Sequence, residues 1–235
     1  MNHRALLLAA LTLAACQQEA APTQAAHDPA PPGAVPPPMK MEKPQPQPAP
    51  APAQATDNWR DDAKPEDVDR LARLDAAWTA ALKGVATSDY LQAKADHAAL
   101  GAVGDPKAKI LPNPHPGPGD YRCRTMKLGN NAGMISYGWF RCRVDLSPGG
   151  DLTLTKTTGS QRQQGKLYPD PDNPSRLIFL GTVAWGHWEE GYPAYGSDPQ
   201  RDVVGVLERV EDQRWRLVLP WPRVESDLDI LEIAR

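Results

Sequence analysis

The sequence predicts a mainly β protein of the α+β type, an antiparallel eight-stranded barrel-like sheet preceded by a helical hairpin. Three observations carry that expectation. The hydrophobic period is helical up to about residue 104 and strand-like after about residue 119. Eight strand-like runs then follow, at about 119–128, 137–146, 151–157, 163–168, 176–184, 202–210, 213–219 and 227–234, with turn clusters such as "SPGGD" and "PDPDNPS" between most of them. Short strands at regular spacing with little helix between them argue a sandwich or barrel, and eight suit a small closed barrel filled by side chains or holding one small ligand. Finally, the triplet Arg-Cys-Arg occurs twice, at 122–124 and 141–143, in a chain with three cysteines.

From the start of the chain, residues 1–15 read as a signal peptide. A short charged start with Arg4 precedes an apolar run from Ala5 to Ala15, too short to span a bilayer as a helix and of the length of a signal-peptide core. Leu13-Ala14-Ala15-Cys16 resembles the lipobox of bacterial lipoproteins. The resemblance implies cleavage before Cys16 and acylation of that cysteine, with the lipid bilayer as a partner. Several acyl chains together anchor firmly where one does not. Gln17, rather than an inner-membrane retention aspartate, follows the cysteine, so the expected location is the outer membrane, facing the periplasm.

Residues 16–57 read as the lipidated cysteine and a disordered Pro/Ala/Gln-rich tether. Twelve of the chain's 26 prolines lie here, and so little apolar side chain cannot offset the entropy of ordering. In polyproline form the tether would reach roughly 120 Å. Residues 58–104 are expected to form the helical hairpin. Its first helix spans "KPEDVDRLARLDAAWTAALKGVA", with Pro65 at a first helical position and an apolar stripe of Val68, Leu71, Leu74, Trp78, Leu82 and Val85. Its second begins near Ser88 and stops at Gly101 or Gly104. The β module occupies 105–235.

Strand alternation explains the repeated triplet. Tyr121, Cys123 and Thr125 share one face, as do Phe140, Cys142 and Val144. If the two runs pair, the cysteines meet inside the sheet, and an even pair in an oxidising compartment reads as a disulfide worth roughly 3 kcal/mol. Arg122, Arg124, Arg141 and Arg143 then line the outer face. Such a row can hold phosphate or carboxylate groups on a lipid head group or anionic glycan, or be a solvated face balanced by Asp120 and Asp145.

Two connections are candidate contact sites. "AWGHWEEGYPAYGSD" gathers Trp185, His187, Trp188, Glu189, Glu190 and Tyr192; aromatic rings stack on sugars, and paired carboxylates can act as acid and base. Adjacent glutamates on an extended chain point to opposite sides, which weakens that pairing. "KTTGSQRQQGKLY" offers Ser160, Gln161 and Arg162 as a polar hairpin tip that an envelope protein could contact. Ser160 lacks the GxSxG elbow of a nucleophile. Glu225, Asp227 and Asp229 read as solvated carboxylates rather than a calcium loop. No metal site, cofactor or catalytic residue is expected, and a formal net charge of −3 speaks against nucleic acid.

"YRCRTMKLG", "FRCRV", "KTTGSQRQQGKLY", "GVLERV", "WRLVLPWPRVESDLDILEI" and the upstream "RLARLDAAWTAAL" together resemble an uncharacterised bacterial envelope family, the domain of unknown function 4893, over roughly 58–235. The resemblance implies no activity and no site residues. "TTGSQR" is loosely similar, with Gly and Ser reversed, to the loop that periplasmic lipoprotein inhibitors present to c-type lysozymes. The expected function is a non-catalytic binding or interaction module. The alternatives are a wall- or glycan-directed hydrolase using the 185–195 loop, and a lipocalin-like carrier that needs a cavity inside its barrel.

Overall fold

The computed structural model describes residues 58–129 and 133–235. The expected signal peptide, the lipidated Cys16 and the proline-rich tether lie outside the described residues. Helices come first: α1 (Trp59–Asp62), α2 (Pro65–Ala72), α3 (Leu74–Thr87) and α4 (Leu91–Ala98), then a 3₁₀ turn at Gly101–Val103. Nine strands follow: β1 (Gly119–Leu128), β2 (Met134–Ser136), β3 (Phe140–Leu146), β4 (Leu152–Lys156), β5 (Gln161–Pro169), β6 (Arg176–Trp185), β7 (Asp202–Glu211), β8 (Arg214–Pro220) and β9 (Leu228–Ala234). Each long strand pairs antiparallel with its neighbours in chain order, and β9 returns to β1 to close an eight-stranded barrel.

The ninth strand belongs to the β1–β3 hairpin. Cys123 opposes Phe140, whereas Met126 opposes Ser136. One extra residue is therefore accommodated between them, as in a β-bulge. The expected strand at 137–146 is split there: residues 137–139 leave the ladder, and pairing with β1 resumes in β2.

The interior is the face shared by Tyr121, Cys123, Cys142, Val144, Leu154, Leu167, Leu177, Phe179, Leu207, Trp215, Leu217, Leu231 and Ile233, all buried. At its far end the interior is sealed by a second proline-rich segment, the loop at residues 111–118. Trp215 donates its indole N–H to Pro114 O (2.9 Å) and Tyr121 its hydroxyl to Gly117 O (2.6 Å). Gly165 and Gly181 face each other across β5 and β6. A Cβ on either would meet opposing backbone at 2.4 Å or less and the Phe179 ring at 2.6 Å, so only glycine allows this approach. Cys123 and Cys142 form the expected disulfide. They lie diagonally rather than opposite, since Cys142 opposes Tyr121; diagonal neighbours on one face remain within reach.

The helices cover the outer wall, so β6, β8 and β9 are buried on both faces. Ala77, Trp78, Ala81 and Val85 of α3 pack with Met126, Leu128, Val218 and Ile230. Trp59 packs with Ile178, Leu180, Val204 and Val206, with Val68 and Leu71 half-buried against them. The single long helix expected from 64 is two, broken at Arg73 (φ −99°, ψ 20°). The Trp221 indole donates to Arg73 O (3.2 Å) and the Arg73 guanidinium stacks on its ring (5.2 Å), tertiary contacts that stabilise the break.

The fully buried side chains of α2 are not the expected apolar stripe but Asp67 and Arg70, which bond each other (2.7 Å). Arg70 also donates to Pro220 O and Asp202 O, and Tyr195 donates its hydroxyl to Asp67 Oδ2 (2.6 Å). Arg216 makes the second clamp from the wall side. It is 2% exposed, bonds Glu208 (2.8 Å), and donates to Ala102 O (3.0 Å) and Asp105 O (2.6 Å).

Candidate functional site: the polar mouth of the barrel

Alternation places the next inward side chains of each strand at the end opposite the proline-rich loop, and there the interior turns polar. Beyond Cys123 come Thr125 and Lys127; beyond Leu154, Lys156; beyond Leu167 and Gly165, Gln163; before Leu231, Asp229. All five are buried. Alternation already places Thr125 on the inward face, but sequence reading missed the other four because a charged or amide side chain in a strand is ordinarily taken as outward. Parity with the buried Cys123 is the signal that would have found Lys127, and parity with Leu231 would have found Asp229.

Each polar group has a distinct environment. Lys127 Nζ meets Asp229 Oδ2 at 3.0 Å and Glu225 Oε2 at 3.4 Å. Asp229 also accepts from the Ser226 hydroxyl. Burial holds its carboxyl above the ordinary carboxylate range, against the opposing pull of Lys127. The acidic residues 225–229 are therefore not all solvated, as the sequence suggests: Asp229 is a buried counter-ion, only 4% exposed. Lys156 Nζ donates to Gln161 O (2.5 Å) and lies over the Phe140 ring (4.2 Å). Burial, aided by the positive charges of Lys127 and Arg162, pushes its ammonium down from 10.5 to about 8. Thr125 Oγ1 and Gln163 Oε1 are buried with no hydrogen-bond partner among the described residues.

Two small clefts flank this layer and share Lys127 and Gln161. One, about 40 Å³, is bounded by Arg70, Gln163, Trp185, Asp202 and Asp229. The other, about 50 Å³, is a notch in the rim bounded by Thr125, Tyr137, Phe140, Lys156 and Ser160. The notch exists because the walls differ in height. β4 last pairs with β3 at Lys156–Cys142 and turns back, whereas the β1–β2 hairpin continues to Leu128–Met134.

Both candidate connections come to this end. Gly186 N donates to Ser160 O (2.7 Å), Gln161 opposes Trp185, and Arg162 donates to Glu189 O. Tyr192 donates its hydroxyl to Lys156 O (2.8 Å). The glutamates do not form an acid–base pair. Both Glu189 oxygens accept from Arg201 (2.6 Å), and Trp185 N adds a third bond, which together hold its carboxyl below the ordinary range. Glu190 is exposed, as are His187 and Trp188, whose rings meet edge to face. A carboxylate held ionised in this way is a poor proton donor, so the geometry does not support the hydrolase reading. The carrier reading needs a hollow barrel, and Phe179, Trp215 and their neighbours fill it.

The arginine row lies on the outer face, as alternation requires, and two of its four members are paired with carboxylates. Arg143 bonds Asp120 and Asp145 (2.8 Å each), and Arg124 bonds the buried Glu232 (2.5 Å). Arg122 and Arg124 stack on Trp139, which the bulge places beneath them. Arg122 and Arg141 oppose each other in register, with no carboxylate partner among the described residues. Among the described residues, no three His, Cys, Asp or Glu side chains gather as a metal site requires.

No curated protein and no solved structure matches the chain at a significant level. The model of one family, described as a domain of unknown function (DUF4893), matches residues 59–233, which take in every helix and all but the last residue of the final strand. By that match, the chain belongs to the DUF4893 family.

Proposed function

We propose that this protein is a lipoprotein of the bacterial envelope, acylated at Cys16 and held at the outer membrane, whose barrel is a non-catalytic binding module taking its ligand at the polar mouth. One observation carries the binding part of this reading. A barrel that fills one half of its interior with apolar side chains places buried, unpartnered polar atoms, Thr125 Oγ1 and Gln163 Oε1, in the other half. Such atoms cost folding free energy unless something outside the chain satisfies them. A few convergent polar groups at the mouth of a barrel are also what small-ligand sites consist of. The lipobox resemblance at Leu13–Cys16 supports the anchor, and the proline-rich residues after it supply the reach.

The test of the anchor is labelling with a fatty-acid analogue in a bacterial host. The chain should take the label and fractionate with membranes, and Cys16→Ala should lose both; an unlabelled wild-type chain would overturn the anchor. The test of the mouth is side-chain NMR of the full chain titrated with small charged and neutral compounds. Responses should centre on Thr125, Lys127, Lys156 and Gln163, and responses confined to the outer arginine row would move the binding reading there.

A further inference from the structure

We propose that the rim notch binds a carboxylate group, with Lys156 as its counter-ion and the Thr125 hydroxyl as its second donor. This rests on the reading of the mouth as a binding site and names the chemistry of what enters it.

The charges on either side of Gln161 are handled differently. Lys127 is met by Asp229 and Glu225. Lys156, 3% exposed, has one backbone carbonyl and one aromatic face. A buried ammonium without an anion is costly, and a hydrophobic side chain of the same length would serve the fold better. Thr125, 5% exposed and with its Oγ1 unpartnered among the described residues, also lines the notch. One carboxylate answers both, one oxygen accepting from Lys156 Nζ and the other from Thr125.

Charge and size choose the anion. One uncompensated positive charge matches a monoanion. A phosphate dianion would bring a second negative charge close to Asp229 and Glu225. A space of about 50 Å³ suits a carboxylate head, with the Phe140 and Tyr137 rings beside its carbon chain. The titratable and charged groups around Lys156 are Lys127 on β1, Tyr137 before β3 and Arg162 on β5, while Glu225 before β9 and Asp229 on β9 reach this layer through Lys127. Since an anion binds the charged lysine and Lys156 titrates near 8, affinity should fall by about tenfold for each pH unit above that point.

A carboxylate can come from a free small acid or from the C-terminus of a peptide. The experiment is a titration of the full chain, with the Lys156 ε-methylene and Thr125 methyl read by NMR, using acetate, N-acetylalanine, N-acetylalanine amide and inorganic phosphate as probes. Acetate should shift both signals and raise the pH at which Lys156 titrates. Lys156→Met should weaken that response by about tenfold or more while the melting temperature stays level or rises. Thr125→Val should weaken it less.

N-acetylalanine binding about tenfold tighter than acetate supports a peptide C-terminus as the source; equal affinities support a free small acid. A response to phosphate alone, or equal binding of acid and amide, overturns the carboxylate while leaving the mouth as a binding site. An unchanged response in Lys156→Met also overturns it. Silence of every mouth signal to all four probes overturns both readings, and the notch then holds water only.

Discussion

Of the cations buried among the described residues, Arg216, where the helices dock on the barrel, and Lys156, in its mouth, have surroundings that differ in kind. Arg216 has a carboxylate, carbonyls from the turn at 102–105 and the Trp78 ring around it. Lys156 has a single carbonyl and a ring. At the dock, the fan of guanidinium donors is met by groups fixed in the fold. At the notch, the Lys156 charge is met by no carboxylate and Thr125 Oγ1 by no partner among the described residues. The first pattern joins two layers; the second costs stability, which is how binding sites commonly differ from the scaffold that carries them.

The comparison breaks first if removing Arg216 is harmless. Arg216→Ala strands Glu208 and the turn carbonyls under the helical layer, and should cost about 3–5 kcal/mol in urea unfolding. A loss below about 1 kcal/mol would mean that the dock is held by its apolar contacts alone. Next is the crosslink. Cys123→Ser with Cys142→Ser should lose roughly 3 kcal/mol, because it frees a loop of 19 residues' separation in the unfolded chain. The double variant should remain folded at 25 °C if the barrel interior is as well filled as its side chains indicate.

The third prediction concerns the mouth and has a sign. Lys156 is driven down from 10.5 to about 8 in the folded protein. Between those values the unfolded chain holds a proton that the folded chain has released. Stability should therefore rise with pH across that window, by on the order of 3 kcal/mol from this group. Lys156→Met should flatten the rise, which a comparison of unfolding curves at pH 7.5 and 10 would detect; an identical slope in the variant would show that Lys156 is not strained by burial. The smallest effect is at Glu189. Glu189→Gln should leave the melting temperature unchanged and speed amide exchange only in the 186–192 connection. A large loss of stability would place that connection in the scaffold rather than at a site.

The eight principal strands were legible because alternation and turn chemistry agree along most of the β module. Closure was not legible: it rests on the pairing of β1 with β9, the two ends of the β module, which no local pattern announces. β2 was not legible: one added residue near 137–139 shifts the period, and a bulge leaves no composition mark of its own. The break at Arg73 was hidden because Trp221, 148 residues later, supports it. The site was half legible. Ser160, Gln161 and Arg162 and the Trp185–Tyr192 connection do stand at the mouth. The groups that define it, however, are lysines and an aspartate whose burial contradicts their residue type. Only counting faces outward from Cys123 would have placed them.

The disulfide lies on the same strands as the notch, one inward position below it: Cys123 precedes Thr125 on β1, and Cys142 follows Phe140 on β3. A tube with a slot cut in its rim tears from the base of the slot, where fewer bonds share the load. Here the base of the slot is riveted. Fluctuations that widen the notch should therefore stop at that pair, leaving amide exchange fast in residues 134–137 and slow from Cys123 toward Tyr121. Under reducing conditions that boundary should travel down the barrel. The mouth would then lose its shape before the fold loses its cooperativity, so the redox state of this one pair would set the form of the rim at a point where the chain is still intact.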